Sequence, residues 1–122
     1  FRRVLFRSEM EKIVEQGMLY DFYGELLTPH QRKIYEDVVF NDMSLSEIAE
    51  EQGISRQGVH DLVKRCDKTL AEYESKLKLV EKFHQTRRMV EEIRQLTGEY
   101  QKNQDMKLIQ KIQQIAGEII EL

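Results

Sequence analysis

Three histidines, His30, His60 and His84, and one cysteine, Cys66, are the residues whose types could bind a metal or attack a substrate. Zinc ligands come in pairs a few residues apart, so that one turn or loop presents two donors together. No two of these four have that spacing, and no metal or cofactor is expected. Glu50-Glu51 and Glu91-Glu92 are adjacent pairs. Neighbours on a helix point about 100° apart, so they do not face each other across a substrate as an acid and a base would. No glycine-rich phosphate loop precedes a helix, and no nucleophile elbow is present. The expected protein is therefore not an enzyme. Cys66 reads as a small core residue. A single cysteine excludes an intrachain disulfide and suits a reducing compartment, so a cytoplasmic protein is expected.

A different chemistry is written in Ser55, Arg56, Gln57, His60, Lys64, Arg65 and Lys68. An arginine fork matches the acceptors of guanine, and a glutamine amide matches adenine. Lys64, Arg65 and Lys68 suit phosphates. From Ser55 to Lys68 there are four basic and two acidic residues, a local surplus within a chain of net charge −3. Asp61 lies among them, and Glu47, Glu50 and Glu51 precede them, which opposes tight binding to phosphate. The alternative is a solvated face on a helix that merely packs. A second basic cluster, Arg87-Arg88 with Lys82 and Arg94, suits RNA or an acidic partner, or is likewise a solvated face.

These residues need helices to position them. Hydrophobic residues make up 40% of 122 and charged residues 34%, enough for one core in a soluble chain. One Pro and six Gly leave little room for a turn-rich β architecture. No apolar run is long enough to span a bilayer. Over 11–27, Ile13, Met18, Leu19, Phe22, Tyr23, Leu26 and Leu27 recur at helical spacing. Thr28-Pro29-His30-Gln31 reads as a capping box with proline in the first turn, opening a helix with Ile34, Tyr35, Val38 and Val39 inward. Asn41-Asp42 breaks it.

Ser44-Leu45-Ser46-Glu47 is a second capping box. Its short helix turns Leu45, Ile48 and Ala49 inward and ends at Gly53, where a left-handed backbone is cheap for glycine. Ile54 is expected to plug the turn. Ser55 caps the next helix, with Val59, Leu62, Val63 and Cys66 on its inner face. Together these form a helix-turn-helix, with small Ala49 at the crossing.

The seam continues through Leu70, Tyr73, Leu77 and Val80 in steps of three and four. An unbroken helix from Ser55 to Leu96 would run roughly 60 Å, so a break is expected in the seventies or at the polar patch 84–88. Val90, Ile93 and Leu96 restore the phase. Gly98 to Asp105 reads as a polar connector. The last helix carries Leu108, Ile112, Ile115, Ile119 and Leu122, widened by Ile109, Ala116 and Ile120. A lone helix of this length is marginal in water. Its simplest partner is the 86–97 segment, as a helical hairpin; a second subunit is the alternative.

The first nine residues differ from the rest, with three arginines, no cap and no clear period. They read as a non-native leader with Met10 as the natural start, or else as a basic arm. Without them the net charge becomes −5. The expected organisation is 1–9 leader, 10–72 helix-turn-helix domain and 73–122 helical extension.

The stretch Leu45 to Val59, with Leu27 to Arg32 before it, resembles region four of bacterial sigma factors. Leu19 to about Phe83 more closely resembles the YlxM family of small bacterial proteins. The resemblance lies in Phe22-Tyr23, Leu27-Thr28 with Gln31, Ser44 to Glu50, Ile54 to Val59, Asp61 with Lys64-Arg65, and Leu70 to Leu77. Gly58 stands where the family more often has Ala, and His60 where Tyr or Phe is common. The resemblance implies an all-α helix-turn-helix bundle and a regulator linked to the signal recognition particle pathway. Two readings follow. One is a DNA-binding regulator, whose second helix enters the major groove. The other is an interaction module for signal recognition particle protein or RNA components. A homodimer is expected under both, because the apolar stripes exceed what one small chain buries.

Overall fold

A computed structural model describes residues 8–122; residues 1–7, most of the expected leader, lie outside the described residues. Every regular element among the described residues is helical. They fall into two compact units that part between Lys78 and Leu79. That division lies beyond the 72/73 limit read from the sequence, where the backbone of Lys78 turns left-handed at φ 56°. No helix among the described residues is long and apolar enough to cross a membrane.

The first unit opens with α1, Glu9–Tyr23. It starts before Met10, because the Ser8 hydroxyl accepts the Glu11 N–H at 3.1 Å. The expectation that the first nine residues hold no cap is thus corrected at Ser8. The helix also ends earlier than expected and tightens into a 3-10 turn, Gly24–Leu26. Gly24 is buried where a Cβ would stand 2.7 Å from the Tyr20 ring. The Tyr20 ring in turn stacks on Tyr35 and meets the edge of Phe40. The expected broad apolar face of α1 is only partly covered. Tyr23 and, beyond the turn, Leu27 are buried, whereas Ile13, Phe22 and Leu26 are exposed.

Helix α2, Pro29–Val39, carries the complete Thr28–Gln31 capping box, and α3, Leu45–Gln52, carries the Ser44–Glu47 box. Asp42 separates them with φ 50°. Helix α3 ends at Gly53, φ 68°. Ile54 does not plug the turn as expected; it is 36% exposed. The backbone closes the turn instead, for the Gly53 and Ile54 N–H groups both donate to the Ala49 carbonyl. Helix α4, Arg56–Leu77, begins at the Ser55 cap. It buries Val59, Val63, Cys66 and Leu70 at steps of four, three and four. Against this stripe pack α1, α2 and α3. Ile34, Tyr35, Ile48 and Tyr23 complete the core.

The second unit is a hairpin of α5, Leu79–Asn103, and α6, Met106–Ile120, packed on each other. Helix α5 runs unbroken through 84–88, so of the two break points expected, the one in the seventies is used. The expected connector 98–105 shrinks to Gln104 and Asp105. Gly98 lies inside α5, where it costs roughly 0.5–1 kcal/mol relative to Ala. Leu96 and Tyr100 on either side of it are half-buried. Gln104 turns the chain at φ 54°, and Asp105 caps α6 through the Lys107 N–H at 3.0 Å. Leu108 and Ile115 are the buried residues of this unit.

Candidate nucleic-acid interface

The outer surface of α4 follows from its inner one. At 3.6 residues per turn, Gln57, Asp61, Lys64 and Lys68 lie within about 60° of one another. Their stripe is roughly opposite the buried Val59, Val63, Cys66 and Leu70. His60 flanks the stripe on one side and Arg65 on the other, while Arg56, the first residue of the helix, points nearer the direction of Val63. All seven are exposed. The same seven, without Asp61 but with Ser55, are the residues singled out in the sequence.

Each of them has a definite local state. Ser55 is the cap: its Oγ accepts the Gly58 N–H at 2.9 Å, leaving its own hydroxyl hydrogen to donate. A Cβ at position 58 would stand 3.1 Å from that Oγ, so Gly58 gives the cap room. Gln57 Nε2 donates to Asp61 Oδ1 at 2.9 Å, and His60 Nδ1 stands 3.6 Å from the same oxygen. Asp61 therefore sits at the centre of the stripe, held by the residue suited to read adenine. Arg56, Lys64, Arg65 and Lys68 form no salt bridge among the described residues. Arg56, Gln57 and His60 also line a shallow depression against Leu45 at the start of α3.

Asp67, not singled out in the sequence, joins this helix to its neighbours. Asp67 Oδ1 accepts the Tyr35 hydroxyl of α2 at 2.6 Å, and the two Asp67 oxygens accept Gln16 Nε2 of α1 at 3.0 and 3.2 Å. One side chain thus ties α4 to two other helices, a turn below Lys64. Its position was legible, since Asp67 follows Val63 by four and precedes Leu70 by three, on the edge of the inner stripe. Burial, reinforced by the Asp67 charge, raises the Tyr35 phenol well above its usual range. Burial and Asp67 likewise push the Cys66 thiol up to about 11, with Arg65 opposing.

Asp37 is a fully buried carboxylate, 1% exposed, where Asp67 is half-buried. Lys33 Nζ at 3.2 Å and Asn41 Nδ2 at 2.9 Å both donate to its Oδ1. Its own carbonyl accepts the Met43 N–H, so it shapes the link from α2 to α3.

Of the other residues considered, His30 and His84 are exposed and Cys66 is fully buried. The second basic cluster is divided: Arg87 lies over the Phe83 ring at 5.8 Å, and Arg94 stands 3.7 Å from Glu91.

Residues 10–115 match the model of a family described as "Putative helix-turn-helix protein, YlxM / p13 like". The chain belongs to this family, UPF0122. UPF0122 proteins of Bacillus thuringiensis (strain Al Hakam), Bacillus mycoides (strain KBAB4) and Bacillus anthracis (strain A0248) are each 43% identical to it over 101 residues. Those residues make up 82% of this chain and 92% of each relative. The family match takes in the helix-turn-helix of α3 and α4 and continues through α5 into α6, so both units belong to the UPF0122 pattern.

Proposed function

We propose that this UPF0122 protein is a DNA-binding regulator that presents α4 to the major groove. One observation carries the reading: α4 bears four cations, Arg56 at its start and Lys64, Arg65 and Lys68 along its outer side, that are exposed and have no carboxylate partner among the described residues. Exposed and unpaired, these cations are available to phosphates. In a helix-turn-helix the N-terminal residues of the second helix meet base edges. Arg56 and Gln57 occupy those positions, with Ser55 donating alongside. For Gln57 to read a base it must leave Asp61, and His60, on the same carboxylate, then becomes its remaining neighbour.

The test is duplex retention followed by fluorescence anisotropy over a salt series. Binding should weaken steeply as salt rises, because each phosphate contact releases counterions. Changing Arg56 and Lys64 together to Ala should lower affinity at least tenfold at low salt and flatten the salt slope by about one to two contacts. Both side chains are exposed, so the melting temperature should stay within experimental error. A double variant that binds duplex as tightly as the parent would overturn the reading.

A second reading is favoured by the charges around the stripe. Asp61 lies at its centre, and Glu47, Glu50 and Glu51 are exposed on α3. An interaction module would use these carboxylates against a basic protein or ribonucleoprotein surface. The setting suggested by the family resemblance is the signal recognition particle pathway. In that case duplex DNA is not retained, and a reconstituted particle of signal recognition particle protein and RNA is.

A further inference from the structure

A carboxylate at the centre of a stripe that faces DNA is unfavourable to phosphates, yet Asp61 stands there. It is the sixth residue of α4, in the second turn. It points almost directly away from the buried Val59, Val63, Cys66 and Leu70, and its side chain is 56% exposed. It is also held. Gln57 Nε2 donates to its Oδ1 at 2.9 Å, and His60 Nδ1 stands 3.6 Å from the same oxygen. An ionised carboxylate only accepts, so the Gln57 amide must turn its nitrogen to it. Oδ2 has no partner among the described residues. One oxygen is thus fixed from within the helix, and the other is left open on an exposed side chain.

We propose that Asp61 is a specificity-determining residue: its Oδ2 accepts the exocyclic amino group of a cytosine in the major groove, and Gln57 is the positioning residue that aims it. The proposal rests on the reading that α4 enters the major groove. The base edges found there decide the ligand. Guanine offers the acceptors N7 and O6, and thymine offers O4; a carboxylate is repelled by all three. Adenine offers its N6 amino group but sets the acceptor N7 beside it. Cytosine offers the N4 amino donor alone, so it is favoured. The position also fits. In a helix that enters by its N-terminal end, the first turns meet base edges. A negative charge there meets amino groups, while Lys64 and Lys68 follow further along the stripe for guanine or phosphate. Gln57 lies one turn before Asp61, a rise of roughly 6 Å. A glutamine that keeps this hydrogen bond does not offer the same amide hydrogen to adenine, and its part is to fix the carboxylate. A Gln–Asp pair four residues apart that served the helix alone would add slightly to helix stability and carry no base preference.

The experiment selects duplexes with a randomised core on the full chain at low salt and sequences those retained. It compares the parent with Asp61→Ala, Asp61→Asn and Gln57→Ala, with circular dichroism alongside. The parent should select cytosine at one position, and in fluorescence anisotropy an exchange of that base pair for any other should weaken binding at least about fivefold. Asp61→Ala should lose the preference at that position and bind random duplex more tightly, because a negative charge has gone. Asp61→Asn, which keeps the shape, should move the preference to adenine, whose N6 and N7 suit an amide. Gln57→Ala should weaken the cytosine preference without replacing it. If Asp61→Ala loses helicity, Asp61→Asn decides. A parent that binds duplex but selects no cytosine overturns the proposal and leaves DNA binding standing. So do Asp61 variants that select the parent's sequence. Loss of an adenine preference in Gln57→Ala, with the Asp61 variants unchanged, overturns it in favour of Gln57 as the reader. A parent that retains no duplex overturns the reading of α4 and this proposal together.

Discussion

Cys66 and Asp67 are neighbours in the chain with opposite tasks in α4. Cys66 is fully buried in the stripe that faces the core, and Asp67 holds Gln16 and Tyr35 at the stripe's edge. Burial raises the thiol from its ordinary 9.0 to about 11. The folded chain therefore keeps this proton where the unfolded chain has lost it. The stabilisation is complete below pH 9 and is lost as pH rises from 9 through 11. That loss should be on the order of 2–3 kcal/mol, at 1.36 kcal/mol per pKa unit. Urea titrations at pH 8, 9, 10 and 11 should show it, and Cys66→Ala should remove that part of the slope. The variant's lower stability at pH 8 is a separate offset from the smaller side chain. Tyr20 and Tyr35, whose phenols are also raised by burial, supply a further alkaline loss in both proteins. Identical slopes between pH 9 and 11 would contradict the burial of the thiol.

The turn between α3 and α4 rests on one backbone angle. Gly53 is left-handed at φ 68°, and a Cβ there would meet nothing within 4 Å. A substitution is thus penalised by backbone conformation and not by a clash. Gly53→Ala should cost roughly 1–2 kcal/mol, and Gly53→Asn less, since asparagine visits this region more readily. Chemical denaturation of the three proteins would order them; an Ala variant as stable as the parent would show that the turn does not need this angle. The two capping boxes were legible because they are local. Thr28–Gln31 and Ser44–Glu47 close their boxes across three residues, and both appear as read. The connector at 98–105 was misread because glycine and polar residues weaken a helix without ending it. Packing of α5 on α6 supplied what Gly98 withheld.

At the scale of the molecule, the division between Lys78 and Leu79 separates two cores of unequal depth. The first unit buries residues from Tyr23 to Leu70, from all four of its α-helices. The second buries Leu108 and Ile115. A fragment spanning 8–78 should therefore melt cooperatively with native-like helicity. A fragment spanning 79–122 should melt broadly when dilute, because so short a chain seldom stabilises itself without association. Calorimetry of both fragments checks this. A broad, uncooperative transition for 8–78 would mean that its core depends on the second unit.

Read alone, the sequence determined the helix-turn-helix, the caps at Thr28, Ser44 and Ser55, and the outward position of Gln57, Lys64 and Lys68. Each of these follows from neighbours within about two turns, where type and spacing suffice. Tertiary structure decided the rest. It chose Asp67 to tie α4 to α1 and α2, with partners 32 and 51 residues away. It left Ile54, Ile13 and Phe22 exposed where an apolar pattern suggested cover. Contacts between residues far apart in the chain depend on how helices are set against one another, and helical periodicity is silent on that.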